Sequence, residues 1–312
     1  MRRVVFSSPF IPPEFISAHG VQPVRVLQAA AADCHQGRCA TAEGLALAPQ
    51  AEDLLVIASS CDQMRRSAEE RTAPTFRFDL PVTWTTANAA RMYREELQRL
   101  SRFLVRHGGH EPVELAAHLL DHDQRRARLR AGCACLPARA AAEALAGYAA
   151  TGSVPSADPS PTPADGSVPV ALLGGPLPPA AFGLHDLIEA CGARIALDGS
   201  EGGERGLAAP CDRRLAVDDP LAALVDCYFL AIPDAFRRPD SLLYAWLERG
   251  ITERGIRAVV LRPDPWCDLW RAVGPRLHDW GCLPVVLAEA GEESGAQPRL
   301  ATRIQALVEM LS

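Results

Sequence analysis

Short apolar runs alternate along this chain with longer segments in which apolar residues recur every three or four positions. A strand that is buried on both faces reads as a continuous apolar run, whereas a helix that covers it is apolar on one side only. The alternation therefore predicts an α/β fold with additional helices. The runs predict strands at residues 22–27, 54–58, 170–173, 193–197, 256–261 and 283–287.

The helical segments are marked by this spacing and by prolines and glycines at their ends. In the longest of them, residues 87–106, the side chains of Leu97, Leu100 and Leu104 form part of one apolar face. Because strands and helices alternate in both halves of the chain, we expect two doubly wound, flavodoxin-like parallel sheets with an active-site cleft between them. The other helices are predicted within residues 8–20, from 40 and 62 onwards, and at 112–130, 137–150, 182–191, 220–230, 239–254, 270–279 and 299–311.

A segment rich in proline, serine and glycine separates the two halves. It covers residues 151–169, and its spaced prolines favour a semi-rigid linker that does not join a core. The predicted organisation is an N-terminal α/β domain with a helical extension (1–150), the linker, and a C-terminal α/β domain (170–312).

Composition narrows the functional classes. The 312 residues are 48% apolar, yet no apolar run approaches the roughly 20 residues of a membrane span. The first residues lack the apolar stretch of a signal peptide, which predicts a soluble protein of the cytoplasm. In that compartment the ten cysteines are expected to serve in metal binding or catalysis rather than in disulfides. The net charge of −6 argues against nucleic acid as a partner.

The chain contains no lysine, so all 32 basic residues are arginines. Walker-type phosphate loops, Schiff-base catalysis and pyridoxal phosphate attachment all require a lysine. These three classes are therefore excluded. The glycine-rich loop at residues 198–206 also lacks the G-x-G-x-x-G spacing of dinucleotide-binding proteins.

Two cysteines follow buried strands directly. Cys61 comes after the run 54–58, and Cys267 comes after the run 256–261. Open α/β sheets bind ligands beyond the carboxyl ends of their strands, where the amides of the next helix favour a thiolate over a thiol. Because thiolates bind soft metals, these positions are candidate ligands, although a free cysteine is also a common packing residue.

Cys39 is a third candidate, since it lies where a helix begins. With Cys34 it forms a C-x4-C pair, but no second pair follows that would complete a structural zinc site. The helical triplet at residues 121–123, Asp-His-Asp, is assigned to a solvated face because neighbouring side chains of a helix point apart. The remaining cysteines are expected not to bind metal: Cys34, Cys133, Cys135, Cys191, Cys211, Cys227 and Cys282.

The chain resembles the 2-hydroxyacyl-CoA dehydratase and benzoyl-CoA reductase family. The most specific part of the resemblance is the string Ser-Cys-Asp-x-Met-Arg at residues 60–65, together with Cys39 before it and the Cys-Asp pair at residues 267–268. Further landmarks in the same order are Pro-Glu at 13–14, Leu-Pro at 80–81, Asp-Pro-Leu at 219–221 and Thr-Arg-Ile at 302–304.

This resemblance implies that Cys39, Cys61 and Cys267 hold a [4Fe–4S] cluster between two α/β domains. Three thiolates leave one iron open to substrate. The resemblance further implies an ATP-hydrolysing activator, with its own iron–sulfur cluster, that supplies one low-potential electron. That electron would enter an acyl-CoA thioester or aromatic ring and form a ketyl-type radical, leading to dehydration or reduction. A homologous subunit is the expected partner in a dimer.

Glu14 matches the family's Pro-Glu string, which implies a proton-transfer group facing the cleft. The alternative is a carboxylate that only stabilises the N-terminus of the first helix. The arginines after the central motif, Arg65, Arg66 and Arg71, are expected to form a rim on which the activator docks, or else a solvated helix face.

Several alternatives stay open from the sequence. Glu201 and Asp234 stand where many relatives carry cysteines, and the chain is short for the family. It could be the catalytic subunit, a companion subunit without turnover, a reductase of small molecules from the double-cubane branch, or a zinc protein that uses the same three thiolates and water.

Overall fold

The computed structural model describes residues 2–27, 37, 39–69, 73–155, 166–280, 283–289 and 297–312. Eight strands in these ranges form two parallel sheets of four. The first sheet has the order β2-β1-β3-β4 and the second the order β6-β5-β7-β8. The strands are β1 Arg3–Phe6, β2 Gln22–Arg25, β3 Leu54–Ala58, β4 Thr75–Phe78, β5 Val168–Gly174, β6 Ala193–Gly199, β7 Ala258–Arg262 and β8 Val285–Leu287.

The repeated strand order confirms the predicted fold class. In each sheet the first strand lies between the second and the third, as in flavodoxin-like domains, and every pairing is parallel. Two strands were not predicted. β1 has only four residues and follows the charged start of the chain, and β4 is a short edge strand in which the exposed Arg77 separates two buried phenylalanines.

Helices cover both sheets, and most lie where the apolar spacing predicts them. The fifth helix begins later than expected, at Leu115, because Glu114 before it adopts a left-handed conformation with φ 51°. The segment predicted as one helix at 220–230 changes to π-helical geometry at Val225–Leu230. The α-helices are α1 Pro13–Ala18, α2 Ala40–Leu47, α3 Asp62–Glu69, α4 Ala87–Arg106, α5 Leu115–Cys133, α6 Ala138–Thr151, α7 Gly183–Ala190, α8 Arg213–Asp218, α9 Pro220–Leu224, α10 Ser241–Arg254, α11 Asp268–Trp280 and α12 Gln297–Leu311.

The polypeptide returns to the first sheet after building part of the second. Residues 208–236, which follow β6, pack into the same apolar core as β1, β3 and α4. Tyr93 on α4 stacks on Phe229 of this segment, with ring centroids 5.0 Å apart. Only then does the chain go back to the second sheet through α10 and β7. The first core is therefore built from both sides of the predicted linker.

The linker itself lies partly outside the described residues. α6 ends at Thr151, and Gly152 closes it with φ 70°, a conformation that glycine adopts without strain. Residues 156–165 are not described, and β5 begins at Val168. Among the described helices, none combines the length and apolar character that crossing a membrane requires.

Candidate functional site

The central strands of both sheets place two of the candidate cysteines at corresponding positions. In a 2-1-3-4 sheet the connections leave in opposite directions at the first and third strands, and a crevice opens there beyond the carboxyl ends. Cys61 follows β3 after two serines, and Cys267 follows β7 after a short proline-containing loop. Both lie directly before a helix, α3 and α11 respectively.

Each candidate thiol is bound by backbone amides at a helix N-terminus. Cys39 is the N-cap of α2 in an extended conformation, and the amides of Thr41 and Ala42 donate to its sulfur. The first amides of a helix lack partners within the helix, so they are free to stabilise a negative sulfur. The other two thiols accept in the same way, Cys61 from Gln63 and Met64, and Cys267 from Trp270.

The three thiols influence one another electrostatically. Burial raises the pKa of all three, to about 12 for Cys267. A charge on Cys39 raises the pKa of Cys61 further, and charges on Cys39 and Cys61 both raise that of Cys267. The structure thus brings these three side chains, from distant parts of the sequence, into one neighbourhood.

In the described part of the chain, no three histidine, cysteine or acidic side chains are grouped closely enough to hold one metal ion. In a cubane cluster each thiolate binds a different iron atom, so its sulfur ligands are naturally further apart than those of one zinc ion.

Side chains of α3 connect the elements that carry Cys39 and Cys61. The Gln63 amide group accepts from the Cys39 backbone N–H at 3.4 Å and donates to the carbonyl of Gly37 at 3.0 Å. One turn later, the Ser67 hydroxyl donates to the carbonyl of Ala42 at 3.0 Å. The relative position of the two cysteines is therefore set by hydrogen bonds as well as by the sheet.

On the second sheet, Arg205 connects the elements around Cys267. Its guanidinium is fully buried and donates to the carbonyls of Gly174 and Gly199, at the ends of β5 and β6. It also pairs with Asp234 at 2.5 Å and lies over the ring of Trp270, 4.7 Å from the centroid. Because the Trp270 amide donates to the Cys267 sulfur, Arg205 helps to fix the helix turn that holds this thiol.

Arg25 joins the two halves beside the thiols. At the end of β2, its Nε donates to the carbonyl of Ser7 at 2.7 Å, and its Nη2 donates to the carbonyl of Glu201 at 3.0 Å. The Glu201 carboxylate lies 3.7 Å from the same guanidinium. Burial nevertheless raises the pKa of Glu201 to about 7, because the nearby Asp234 and Asp264 oppose the effect of Arg25.

The raised pKa of Glu201 predicts a pH-dependent stability. The folded state holds this proton more tightly than the unfolded state, so the stabilisation is complete below about pH 4.5 and is lost as the pH rises to about 7. In Glu201→Gln this loss of unfolding free energy, about 1–3 kcal/mol, should be absent. Urea unfolding at pH 5 and pH 8 measures the free energy in each protein. Glu204→Gln, which alters a surface ion pair with Arg254, is the control. Equal pH slopes in wild type and Glu201→Gln would contradict the assignment.

Glu14 lies in a buried polar network. Its carboxylate is fully buried, accepts from Arg126 at 3.0 Å and accepts from the Tyr228 hydroxyl at 2.7 Å. Burial opposes ionisation, but Arg126 and Tyr228 outweigh it, and the pKa of Glu14 is lowered. Glu14 is therefore an ionised carboxylate with both oxygens bonded, while a role in proton transfer stays a prediction.

A cavity of about 50 Å³ adjoins this network, with room for about three or four water molecules. Its lining includes Arg25, Arg126 and Tyr228, together with glycines of the loop that follows β6. Glu14 does not line it, so the carboxylate reaches the cavity only through the groups to which it is bonded. The cavity lies between both halves of the chain and the helical extension.

His122 corrects the assignment of residues 121–123 to a solvated face. Asp121 is exposed, but His122 is buried, with its Nδ1 3.4 Å from the Tyr148 hydroxyl, and it lines the cavity. The three neighbours do point apart, as expected for a helix. The error was to treat them alike, because α5 is covered on more than one side, by α1, α6 and residues 208–236.

The other cysteines and arginines named from the sequence differ in how deeply they are buried. Cys191 and Cys227 are buried, Cys133 and Cys211 are half-buried and Cys135 is exposed, while Cys34 and Cys282 lie outside the described residues. Arg65 and Arg66 are exposed, and Arg71 is outside the described residues. The buried arginines were not predicted, since nothing in the local pattern separates them from the other arginines of a chain without lysine. The side chains near the site that were not predicted from the sequence are Arg25, Arg126, Arg205, Tyr228 and Asp264.

Comparisons with known proteins give one extensive match. The sequence model of a family described as 2-hydroxyglutaryl-CoA dehydratase, D-component, matches residues 9–311. No curated protein matches the chain. Among solved structures, the periplasmic heme-binding protein BhuT with two hemes is 14% identical, with 99% of this chain and 97% of that chain covered and a TM-score of 0.23. FpvC from P. aeruginosa with Ni2+ is 12% identical, with coverages of 100% and 98% and a TM-score of 0.24. TM-scores this low carry no argument about this chain.

Proposed function

Since this chain belongs to the family of 2-hydroxyglutaryl-CoA dehydratase D-components, we propose that it is an iron–sulfur subunit of an enzyme of that type. The observation that carries the proposal is the convergence of Cys39, Cys61 and Cys267, each at the N-terminus of a helix and each within electrostatic reach of another. In the proposal these three thiolates hold a [4Fe–4S] cluster.

The residues fit such a cluster in three respects. The donors are all sulfur, which is the usual ligand of iron in these clusters. Amides of three helix N-termini are directed at the sulfurs, and hydrogen bonds of this kind compensate the negative charge of a bound cluster. The thiols are protonated without metal, because burial raises their pKa, so cluster binding would release protons.

When bound, the cluster would supply low-potential electrons, one at a time, to an acyl-CoA or similar substrate. The chain's own residues would fix the geometry around it. Gln63 and Ser67 hold the elements of the first two cysteines, and Arg205 holds the turn of the third. Arg25 would hold the end of the first sheet against the loop that follows β6.

Glu14 would take part through Tyr228. The hydroxyl of Tyr228 donates to the carboxylate and borders the cavity, so a proton could pass from the cavity side to Glu14 only by way of this hydroxyl or of Arg126. The tight pairing of Glu14 also favours a second candidate function. A carboxylate held as an ion pair with a lowered pKa is a weak base, which suits a companion subunit that keeps the cluster without catalysing turnover.

The proposed partners are a homologous chain and an ATP-dependent activator with its own cluster. An electron donor must approach the thiols from an exposed surface. Trp266, next to Cys267, is 49% exposed, and Arg65 and Arg66 are exposed on the helix that follows Cys61. These side chains are the proposed docking surface for the activator. Arg65 is partly neutralised by Asp62 at 3.1 Å, which leaves Arg66 as the stronger charge.

The proposal is tested by anaerobic purification followed by iron and sulfide assays. We expect about four iron and four sulfide atoms per chain, and Cys39→Ser, Cys61→Ser and Cys267→Ser should each lose most of both. Cys191→Ser, which changes a buried thiol that donates to the carbonyl of Ala301, is the matched control and should keep its iron. Zinc without sulfide would contradict the proposal.

The same samples separate the two candidate functions. A catalytic or electron-accepting subunit should be reduced by the activator and ATP when it is paired with its homologous chain, whereas a companion subunit should hold iron and sulfide but remain oxidised. Tyr228→Phe should lower turnover without changing iron content if Glu14 exchanges protons through this hydroxyl. Unchanged turnover in that variant would contradict the proton-transfer role.

A further inference from the structure

Two cysteines outside the thiol site lie against each other. Cys211 precedes α8, and Cys227 lies in the π-helical segment Val225–Leu230. The two thiols are close enough to influence each other's pKa, and the Cys211 thiol donates to the carbonyl of Asp212 at 3.5 Å. The Cys227 sulfur also lies 3.8 Å from the carbonyl oxygen of Pro210, the residue directly before Cys211.

The backbone holds this pair in register. The N–H of Ala209 donates to the carbonyl of Cys227 at 3.1 Å, two residues before Cys211. The N–H of Cys211 donates to Asp123 on α5 at 3.2 Å. The segments that carry the two cysteines are therefore held against each other by hydrogen bonds on both sides of Cys211.

The two thiols differ in their exposure to solvent. Cys227 is only 3% exposed, whereas Cys211 is half-buried and can meet a small reagent. Burial raises the pKa of the Cys211 thiol, and the neighbouring Cys227 thiol opposes that rise. Such an arrangement has an attacking thiol at the surface and a resolving thiol behind it.

We propose that Cys211 and Cys227 form a reversible disulfide when the protein meets a small-molecule disulfide. In the first step the Cys211 thiolate attacks one sulfur of the reagent, a mixed disulfide forms, and one thiolate of the reagent leaves. In the second step the Cys227 sulfur loses its proton to solvent and attacks the Cys211 sulfur, and the second thiolate of the reagent leaves. The protein loses two electrons and the reagent gains them.

A disulfide between Cys211 and Cys227 would also affect neighbouring residues. Tyr228, the residue after Cys227, donates to Glu14 and lines the cavity. A single turn of π-helix often occurs at functional sites, since it directs adjacent side chains to different places. The disulfide would therefore constrain the segment from which Tyr228 reaches Glu14. The bond itself does not depend on the proposed cluster.

The experiment incubates the full chain, under nitrogen, with bis(2-hydroxyethyl) disulfide. Free thiols are then blocked in denaturant with N-ethylmaleimide, and the protein is digested with trypsin without reduction. Cleavage after arginine releases residues 206–213 and 215–237 as separate peptides. We expect these two peptides to appear as one linked species, 2 Da lighter than their sum, that dithiothreitol separates.

Three outcomes decide the proposal. The linked species in the native protein supports it, and its loss in Cys211→Ala, with an unchanged yield in Cys191→Ala, assigns the sulfurs. If both cysteines carry the blocking group while the exposed Cys135 has reacted with the reagent, the proposal is overturned. It is also overturned if the linked species forms only after urea is added. The wild-type result stands even if the Cys211 variant fails to fold.

Discussion

Arg126→Met should lower the free energy of unfolding by about 3–5 kcal/mol. The guanidinium is 2% exposed and donates to both Glu14 and Tyr228, so its loss leaves a buried carboxylate without its counter-charge. Removing one partner of a buried ion pair is far more costly than removing both. Urea unfolding of wild type and variant at pH 8 measures the difference.

The double variant Glu14→Leu/Arg126→Met is the internal control. With both charges gone, most of the lost stability should return, because no buried charge is left unpaired. A double variant as unstable as Arg126→Met alone would mean that packing, not charge, dominates at this site.

The stability deficit of Arg126→Met should also depend on pH. In the wild type the pKa of Glu14 is lowered, so its contribution is present above about pH 4.5 and is lost as the pH falls through the folded-state value. Without Arg126, burial raises that pKa instead, and stability falls as the pH rises. The deficit should therefore be larger at pH 8 than at pH 5.

Arg205→Met is expected to destabilise the chain by a similar amount, about 3–5 kcal/mol, and to weaken metal binding at Cys267. The substitution leaves Asp234 without its ionic partner and removes the donors to the carbonyls of Gly174 and Gly199. Trp270 loses the cation over its ring, and its amide holds the Cys267 sulfur.

Arg254→Met is the matched control, since its ion pair with Glu204 is 38% and 32% exposed and should contribute no more than about 1 kcal/mol. Arg205→Lys should recover only part of the stability, because one ammonium cannot reach several carbonyls in a fixed fork. Iron content should fall in Arg205→Met and stay unchanged in Arg254→Met. Equal losses in both would show that Arg205 has no special relation to Cys267.

The sequence predicted the sheets well and the site in part, for identifiable reasons. Fully buried strands such as β3 and β7 are continuous apolar runs, and their cysteines stand out just beyond them. β1 and β4 were missed because a strand of four residues gives too short a pattern. Cys39 could be named only through its place at a helix start and through the family resemblance.

Buried polar groups were the main omission. Glu14, Arg126 and Tyr228 come from three elements, and each of their three contacts joins residues at least 102 positions apart, so no local pattern links them. His122 was assigned to a solvated face together with Asp121 and Asp123, because neighbouring side chains of a helix point apart and cannot share one metal ion. In each case the deciding factor is what packs against the residue, and this is a property of the tertiary fold.

The return of residues 208–236 to the first sheet limits how the chain can move or be divided. Cutting the chain within residues 156–165 would not give two independent halves, because the C-terminal piece would carry part of the N-terminal core. The chain passes between the two sheets three times, at the linker, before residue 208 and after residue 236. Opening the cleft would require the chain to bend at all three places together. Three connections resist the large hinge movements that two domains joined by one linker can make. They favour a cleft whose walls keep a nearly constant separation.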